Sequence, residues 1–337
     1  MTTWDALLLV SFGGPEGPDE VLPFLRRVTA GRGISDERLA EVGEHYAQFG
    51  GVSPINGQNR ALLAALRKAV DLPVYWGNRN AAPLLVDTLT EMRDDGIRRA
   101  LAYVTSAYSS YSGCRQYRED IQRAQRDVAG APAVDKLRVF YNHPAFVACF
   151  VDAVESARRR LRVDRPYLVF TAHSVPLSMA RTSAYEMQLR QTARLVAGPL
   201  DWELAWQSRS GPPQVPWLEP DVGAVLVRLA AQGVPGVIVV PIGFVSDHLE
   251  VVYDLDTEAL PAARALGLNV ERAATPGDDP RIVAMVADLV AERTSGKARP
   301  ALGDLGPSHD GCPLDCCPAP LSRDVALRPL SRRRGGH

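Results

Sequence analysis

Hydrophobic positions along this chain fall into two arrangements. Short unbroken apolar runs alternate with longer segments whose apolar residues recur every three or four positions. The first run, Ala6–Ser11 (ALLLVS), lacks polar alternation, as expected of a parallel strand buried on both faces. It stops at Gly13-Gly14-Pro15, and the next segment, Asp19–Arg27, predicts a helix. Helical periodicity returns at Ser35–Gln48 and Asn56–Val70, on either side of the glycine-rich loop Phe49–Gly57. A strand at Pro73–Trp76, a helix at Leu84–Asp94 and a strand at Ala100–Thr105 complete the series. Strands and helices alternating at this length predict parallel βαβ units.

The second half repeats the plan. Tyr167–Thr171 is again a buried strand, ending in His-Ser-Val-Pro where the first ended in Gly-Gly-Pro. Trp76 opens WGNR and Trp206 opens WQSR, a separation of about 130 residues, so Arg79 and Arg209 occupy matching places. Each motif leads through a helix to a glycine (Gly96, Gly233) and then to a further buried strand. The expectation is an α/β protein of two similar doubly wound, Rossmann-like lobes with parallel sheets. The boundaries are 1–143 and 144–294, with Pro144–Leu161 as the connecting helix. Residues 295–337 change character. They are rich in Pro, Gly and Arg and lack periodicity, so they cannot form a core of their own. This extension is expected to need something other than a core to fix it.

Composition narrows the partners. With 337 residues, 46% of them hydrophobic, the chain can bury a substantial core, and a net charge of −1 gives no global attraction to nucleic acid or anionic membranes. No stretch approaches the ~20 apolar residues of a membrane span. MTTWDALLLVSFGG reads as a buried strand and not as a signal peptide, because it has no basic start and its apolar run is short. A cytoplasmic protein is expected. In a reducing compartment the five cysteines do not suggest disulfides. Cys312, Cys316 and Cys317 nevertheless crowd together, with Cys114 and Cys149 far upstream.

Ligands of open α/β sheets bind beyond the carboxyl ends of the strands. That rule selects Phe12–Gly14, Arg79-Asn80, Ser106–Tyr111, His173-Ser174 and Asp247–Glu250. His173 follows the run LVFTA directly, which puts its imidazole at a strand end instead of in the core. Asp247, Glu250, Asp254 and Glu258, spaced by three, four and four, predict one acidic helix face. No Lys or Arg lies between 247 and 262 to neutralise it. A solvated acidic face is the ordinary reading of such a stripe. Carboxylates together with imidazole suit an exchangeable divalent metal. Neither GxGxxG nor a P-loop is present, so nucleotide binding has no support beyond the fold class.

At the level of motifs, LLLVSFGGPE, FGGVSPING, VFTAHSVP, WQSRSGPPQVPWLEP and PIGFVSDHLEVVYDLD, in this order across residues 5–292, resemble the ferrochelatase family. Within it the chain most resembles the actinobacterial-type branch associated with coproporphyrin III. The resemblance implies a lyase of haem biosynthesis that inserts Fe²⁺ into coproporphyrin III to give coproheme. His173 and Glu250 would be the catalytic pair handling iron and pyrrole protons, and Asp254 and Glu258 an acidic path for the metal. Ser53 and Tyr117 match porphyrin-contacting positions, and Tyr46, Arg32, Phe12 and Trp217 are further candidates for the porphyrin site. Related coproporphyrin enzymes often place an iron-ligating tyrosine where this chain has Phe12, which cannot ligate. Porphyrin and Fe²⁺ are then the partners of a monomer acting beside other haem-pathway enzymes. The nearest rivals are a protoporphyrin IX ferrochelatase, a cobalt or nickel chelatase on the same fold, and a non-catalytic haem carrier. The acidic path favours an enzyme over a carrier.

Some ferrochelatases hold a [2Fe–2S] cluster with three thiolates from a C-terminal extension and one from the body. The resemblance implies that Cys312, Cys316 and Cys317 supply the three and Cys114 the fourth. Cys149, between Ala148 and Phe150 in an apolar helix, is expected in the core. Zinc in a Cys₄ site and a free reactive cysteine pair remain as alternatives.

Overall fold

The computed structural model describes residues 3–31, 33–211 and 214–320. Its first half runs β1 (Ala6–Ser11), α1 (Pro18–Val28), α2 (Asp36–Ala47), α3 (Ile55–Ala69), β2 (Val74–Asn78), α4 (Leu85–Asp94), β3 (Arg99–Val104), α5 (Gln116–Asp127) and β4 (Ala133–Lys136). After the connecting helix α6 (Pro144–Leu161) come β5 (Tyr167–His173), α7 (Leu177–Arg181), α8 (Tyr185–Ala197), β6 (Trp202–Gln207), α9 (Val222–Ala231) and β7 (Val237–Val240). The chain ends in α10 (Leu249–Val251), α11 (Leu260–Ala265), β8 (Val270–Arg272) and α12 (Pro280–Thr294). Two four-stranded parallel sheets result, ordered β2-β1-β3-β4 and β6-β5-β7-β8.

The repeated order is the doubly wound topology that the two halves of the sequence predict. In each sheet the chain steps to one side of the first strand and then to the other. The switch points lie between β1 and β3 and between β5 and β7. Even the approach to the following helix is shared, since isolated parallel bridges join Asn78 to Leu84 and Trp206 to Asp221. Two of the central strands are fully buried, as their unbroken apolar runs require: every residue of β1 and β7 lies inside.

One hydrophobic cluster crosses both lobes, from Leu7 and Leu9 on β1 to Leu168 and Phe170 on β5. Its bridge is α6, whose Phe146 meets Tyr108, Phe140 and Phe150 edge to face. Across the same seam the Tyr108 hydroxyl donates to the Ile242 carbonyl at 2.9 Å. Helix α12 packs on α3 and α6, so the last helix ties the lobes together. Among the described residues no helix is long and apolar enough to cross a membrane.

The extension is held by something other than a core of its own, as its composition requires. Residues 300–306 are fixed by hydrogen bonds to the body, before any of the clustered cysteines is reached. Arg138 and Glu292 form a fully buried bidentate pair at 2.7 and 2.8 Å, and Arg138 also donates to the Pro300 carbonyl. Asn142 donates to the carbonyls of Leu302 and Gly306, and Gln191 to Asp304. A core is thus replaced by satisfied backbone polar groups. Residues 321–337 lie outside the described residues.

Candidate active site and thiol basin

Strand β5 carries its hydrogen-bonded register through His173, which pairs with Gln207 at the end of β6. The imidazole therefore stands at the carboxyl edge, at the switch point of the second sheet. Its Nδ1 lies 2.5 Å from the Ser174 carbonyl oxygen. A carbonyl only accepts, so this contact requires a proton on Nδ1, and in the neutral ring it directs the Nε2 lone pair outward. Nε2 faces Glu250 Oε2 at 3.9 Å, and both side chains are partly open, 35% and 53% exposed. The pair predicted from distant motifs is brought together.

Glu250 sits on the short α10, which continues into a π-helical turn, Val252–Ala259, before α11. Such widened turns recur at functional sites. Asp254, on this turn, follows Glu250 by one helical turn and is half-buried. Ser208 donates to its carboxylate, as does Gln207 at 3.3 Å. Burial raises its carboxyl to about 6, helped by the negative charge of Glu250 and opposed by those hydrogen bonds. Glu258 is exposed one turn further on, against Tyr253, which stacks on His45 at 4.2 Å. Carboxylates thus run from solvent inward to His173.

Asp247 does not belong to this row. The helix begins at Leu249, and Arg272 on β8 holds the Asp247 carboxylate through two bonds of 3.0 Å, joined by Thr275. The neutralising arginine comes from a different element, which local spacing could not reveal. His248 is an addition that spacing also missed. It packs edge to face on Phe244, and burial lowers its pKa, opposed by the charge of Glu250.

The first lobe supplies an aromatic wall. Phe12, just past β1, meets Phe24 edge to face at 6.0 Å, and Phe24 meets Tyr46 at the same distance. Leu249, the residue before Glu250, packs into this cluster. Tyr46 is close enough for the Glu250 charge to add to burial in raising its phenol. Arg79, just past β2, lies over Tyr117 at 4.4 Å and over Phe12 at 5.6 Å, while pairing with half-buried Asp120. It was legible only as part of a strand-end segment. Ser53 is buried beneath the Gly13-Gly14 turn, where a side chain on Gly14 would come within 2.5 Å of the Ser53 Cβ. Tyr117 is buried in the core below Arg79. Trp217 bridges to Pro176, three residues past His173, and its buried Nε1 has no hydrogen-bond partner among the described residues. Arg32 lies outside the described residues.

The thiols gather elsewhere, beside α5. A π-helical turn, Tyr111–Arg115, capped by Ser110, buries Cys114. Cys114, Cys312, Cys316 and Cys317 line one small cavity with Arg115, Arg118 and Lys136. Cys114 shares a side-chain hydrogen bond with Cys312, and Cys316 and Cys317 are 3.7 Å apart at sulfur. The Cys312 contact, aided by Lys136, draws the Cys114 thiol down to about 5 against the effect of burial. Arg115 donates to the Cys316 carbonyl, and Arg118 to those of Cys312 and Pro313. Four free thiols under three cations suit an anionic metal–thiolate centre. Cys149 lies in the main core, its thiol pushed up to about 12 by burial.

Comparison with known proteins places the chain in a family. A ferrochelatase family model matches residues 4–294. A coproporphyrin III ferrochelatase of Streptomyces griseus is 53% identical over 358 residues, spanning 96% of each chain. A ferrochelatase of Rhodopirellula baltica is 52% identical, spanning 93% of each. Among solved structures, SirB from Bacillus subtilis with Fe³⁺ superposes with a TM-score of 0.55 over 87% of this chain and 97% of its own, at 12% identity, a likeness of fold. A doubled sheet with a histidine and a carboxylate row at its switch point, and near-full-length identity of this order, have one reading: the chain belongs to the ferrochelatase family.

Proposed function

We propose that this protein inserts Fe²⁺ into coproporphyrin III, releasing two protons and forming coproheme. The observation that carries the reaction is the His173–Glu250 pair, with Nε2 facing a carboxylate at 3.9 Å. The identity to coproporphyrin III ferrochelatase over nearly the full chain supports the substrate. In this reading the macrocycle lies between the Phe12–Phe24–Tyr46 wall and His173. Trp217 and Arg79 stand at its margins. His173 Nε2 takes a pyrrole proton, and Glu250 holds the resulting imidazolium or the arriving iron. Glu258 and Asp254 supply oxygen donors along the approach, suited to a transient, exchangeable divalent ion.

Asp254 makes the approach pH-dependent. Its carboxyl is neutral below about 6 and attracts iron only above it. The apparent KM for Fe²⁺ should therefore rise as pH falls from 7 to 5, and Asp254→Asn should flatten that rise. The same raised pKa means folding favours the protonated form. The stability associated with Asp254 is complete at low pH and lost as pH rises through about 6. Asp254→Asn should accordingly withstand more urea than the parent at pH 7. An unchanged pH profile for iron would remove Asp254 from the path.

The thiol basin fits a resident [2Fe–2S] cluster held by Cys114, Cys312, Cys316 and Cys317. Four cysteines in two close pairs match the Cys₄ requirement. A bound cluster would supply a one-electron redox centre and tie the extension to the turn that precedes α5. The overall reading is tested anaerobically with purified protein, Fe²⁺ and coproporphyrin III. Catalytic loss of porphyrin fluorescence, with product mass raised by one iron less two protons, is expected. Stoichiometric retention of haem without turnover would instead identify a carrier.

A further inference from the structure

The thiol basin has a fifth donor. A ring nitrogen of His309 and the sulfurs of Cys312 and Cys316 all lie within 4.8 Å of one another. A tetrahedral zinc with sulfur at about 2.3 Å and nitrogen at about 2.0 Å separates its donors by about 3.5 Å. Donors that all lie within 4.8 Å of one another therefore exceed that spacing by little more than about an ångström at most. His309 is exposed and both cysteines are half-buried. Cys114, hydrogen-bonded to Cys312, lies within reach as a fourth donor. Cys317, by contrast, is buried and held in a left-handed backbone conformation at φ 50°.

We infer that this basin has a second mode of metal binding, in which Zn²⁺ is held by His309, Cys312, Cys316 and Cys114 when no cluster is present. The inference builds on the cluster reading, because three of the four thiols are shared. Zinc with three thiolates and a neutral imidazole carries one negative charge, and an oxidised [2Fe–2S] cluster with four thiolates carries two. Arg115, Arg118 and Lys136 offset either. Borderline-soft nitrogen and sulfur donors suit Zn²⁺ and exclude hard cations such as Mg²⁺. In both modes the extension remains joined, through Cys114, to the turn that precedes α5, while exchange of Cys317 for His309 distinguishes them.

The exchange predicts a double dissociation in the full-length protein. Metal-free, reduced protein is titrated with Zn²⁺ against a chromophoric chelator, with Co²⁺ as an absorption probe of the ligand set. Separate samples are reconstituted with iron and sulfide. His309→Ala should weaken Zn²⁺ binding at least about tenfold and alter the Co²⁺ spectrum, yet still build the cluster. Cys317→Ser should do the reverse, keeping zinc affinity within about threefold while losing cluster absorption. Unchanged zinc affinity in His309→Ala, or loss of zinc in Cys317→Ser, would overturn the inference. Wild-type protein that shows this zinc pattern but builds no cluster would support the zinc site and refute the cluster.

Discussion

Replacing His173 with alanine is expected to reduce kcat for iron insertion by at least about 100-fold, the usual scale for loss of a positioned base. The porphyrin Kd should change far less, because alanine removes the base and leaves the opposite wall of Phe12, Phe24 and Tyr46 in place. The strand should survive as well. His173 is the last residue of β5, and its backbone pairing to Gln207 does not depend on the ring. Fluorescence-detected porphyrin binding and steady-state insertion would be measured on the same preparation. Retention of a tenth of the parental kcat would remove His173 from the central role.

The second large effect concerns colour. Protein from iron-replete cells should show sulfide-to-iron absorption that disappears in Cys114→Ser, since three thiolates from the extension cannot complete a Cys₄ set. Cys149→Ser should keep the colour. Its thiol sits in the main core with Phe146 and Phe150, and the change costs packing energy alone. Colour lost with Cys149 instead would show that the fourth ligand is misassigned. Loss of the cluster is not expected to free the whole extension, because Arg138, Asn142 and Gln191 hold residues 300–306 independently.

Features governed by local pattern were legible in the sequence. The unbroken runs of β1 and β5 located the sheet centres. The place of His173 after LVFTA followed from the rule for strand ends, and α6 has the predicted bounds Pro144–Leu161. Features governed by long-range pairing were hidden. Arg272 reaches Asp247 from 25 residues away and takes it out of the acidic row. Arg138 and Glu292 meet across 154 residues to order a segment whose composition suggested no fixed structure. The π-helical turns that seat Cys114 and Asp254 have no periodic signature, since a helix pattern does not announce one inserted residue. His309 was passed over for a similar reason. It stands three residues from Cys312, but only the folded loop brings it to Cys316 as well.

The central claim is an iron insertase for a porphyrin with four propionates. Its most direct test is the anaerobic kcat/KM for Fe²⁺ insertion, measured side by side with coproporphyrin III and with protoporphyrin IX, which has two. The account predicts the higher value for coproporphyrin III. An equal or higher value for protoporphyrin IX would contradict the substrate assignment, and no insertion into either would contradict the enzyme.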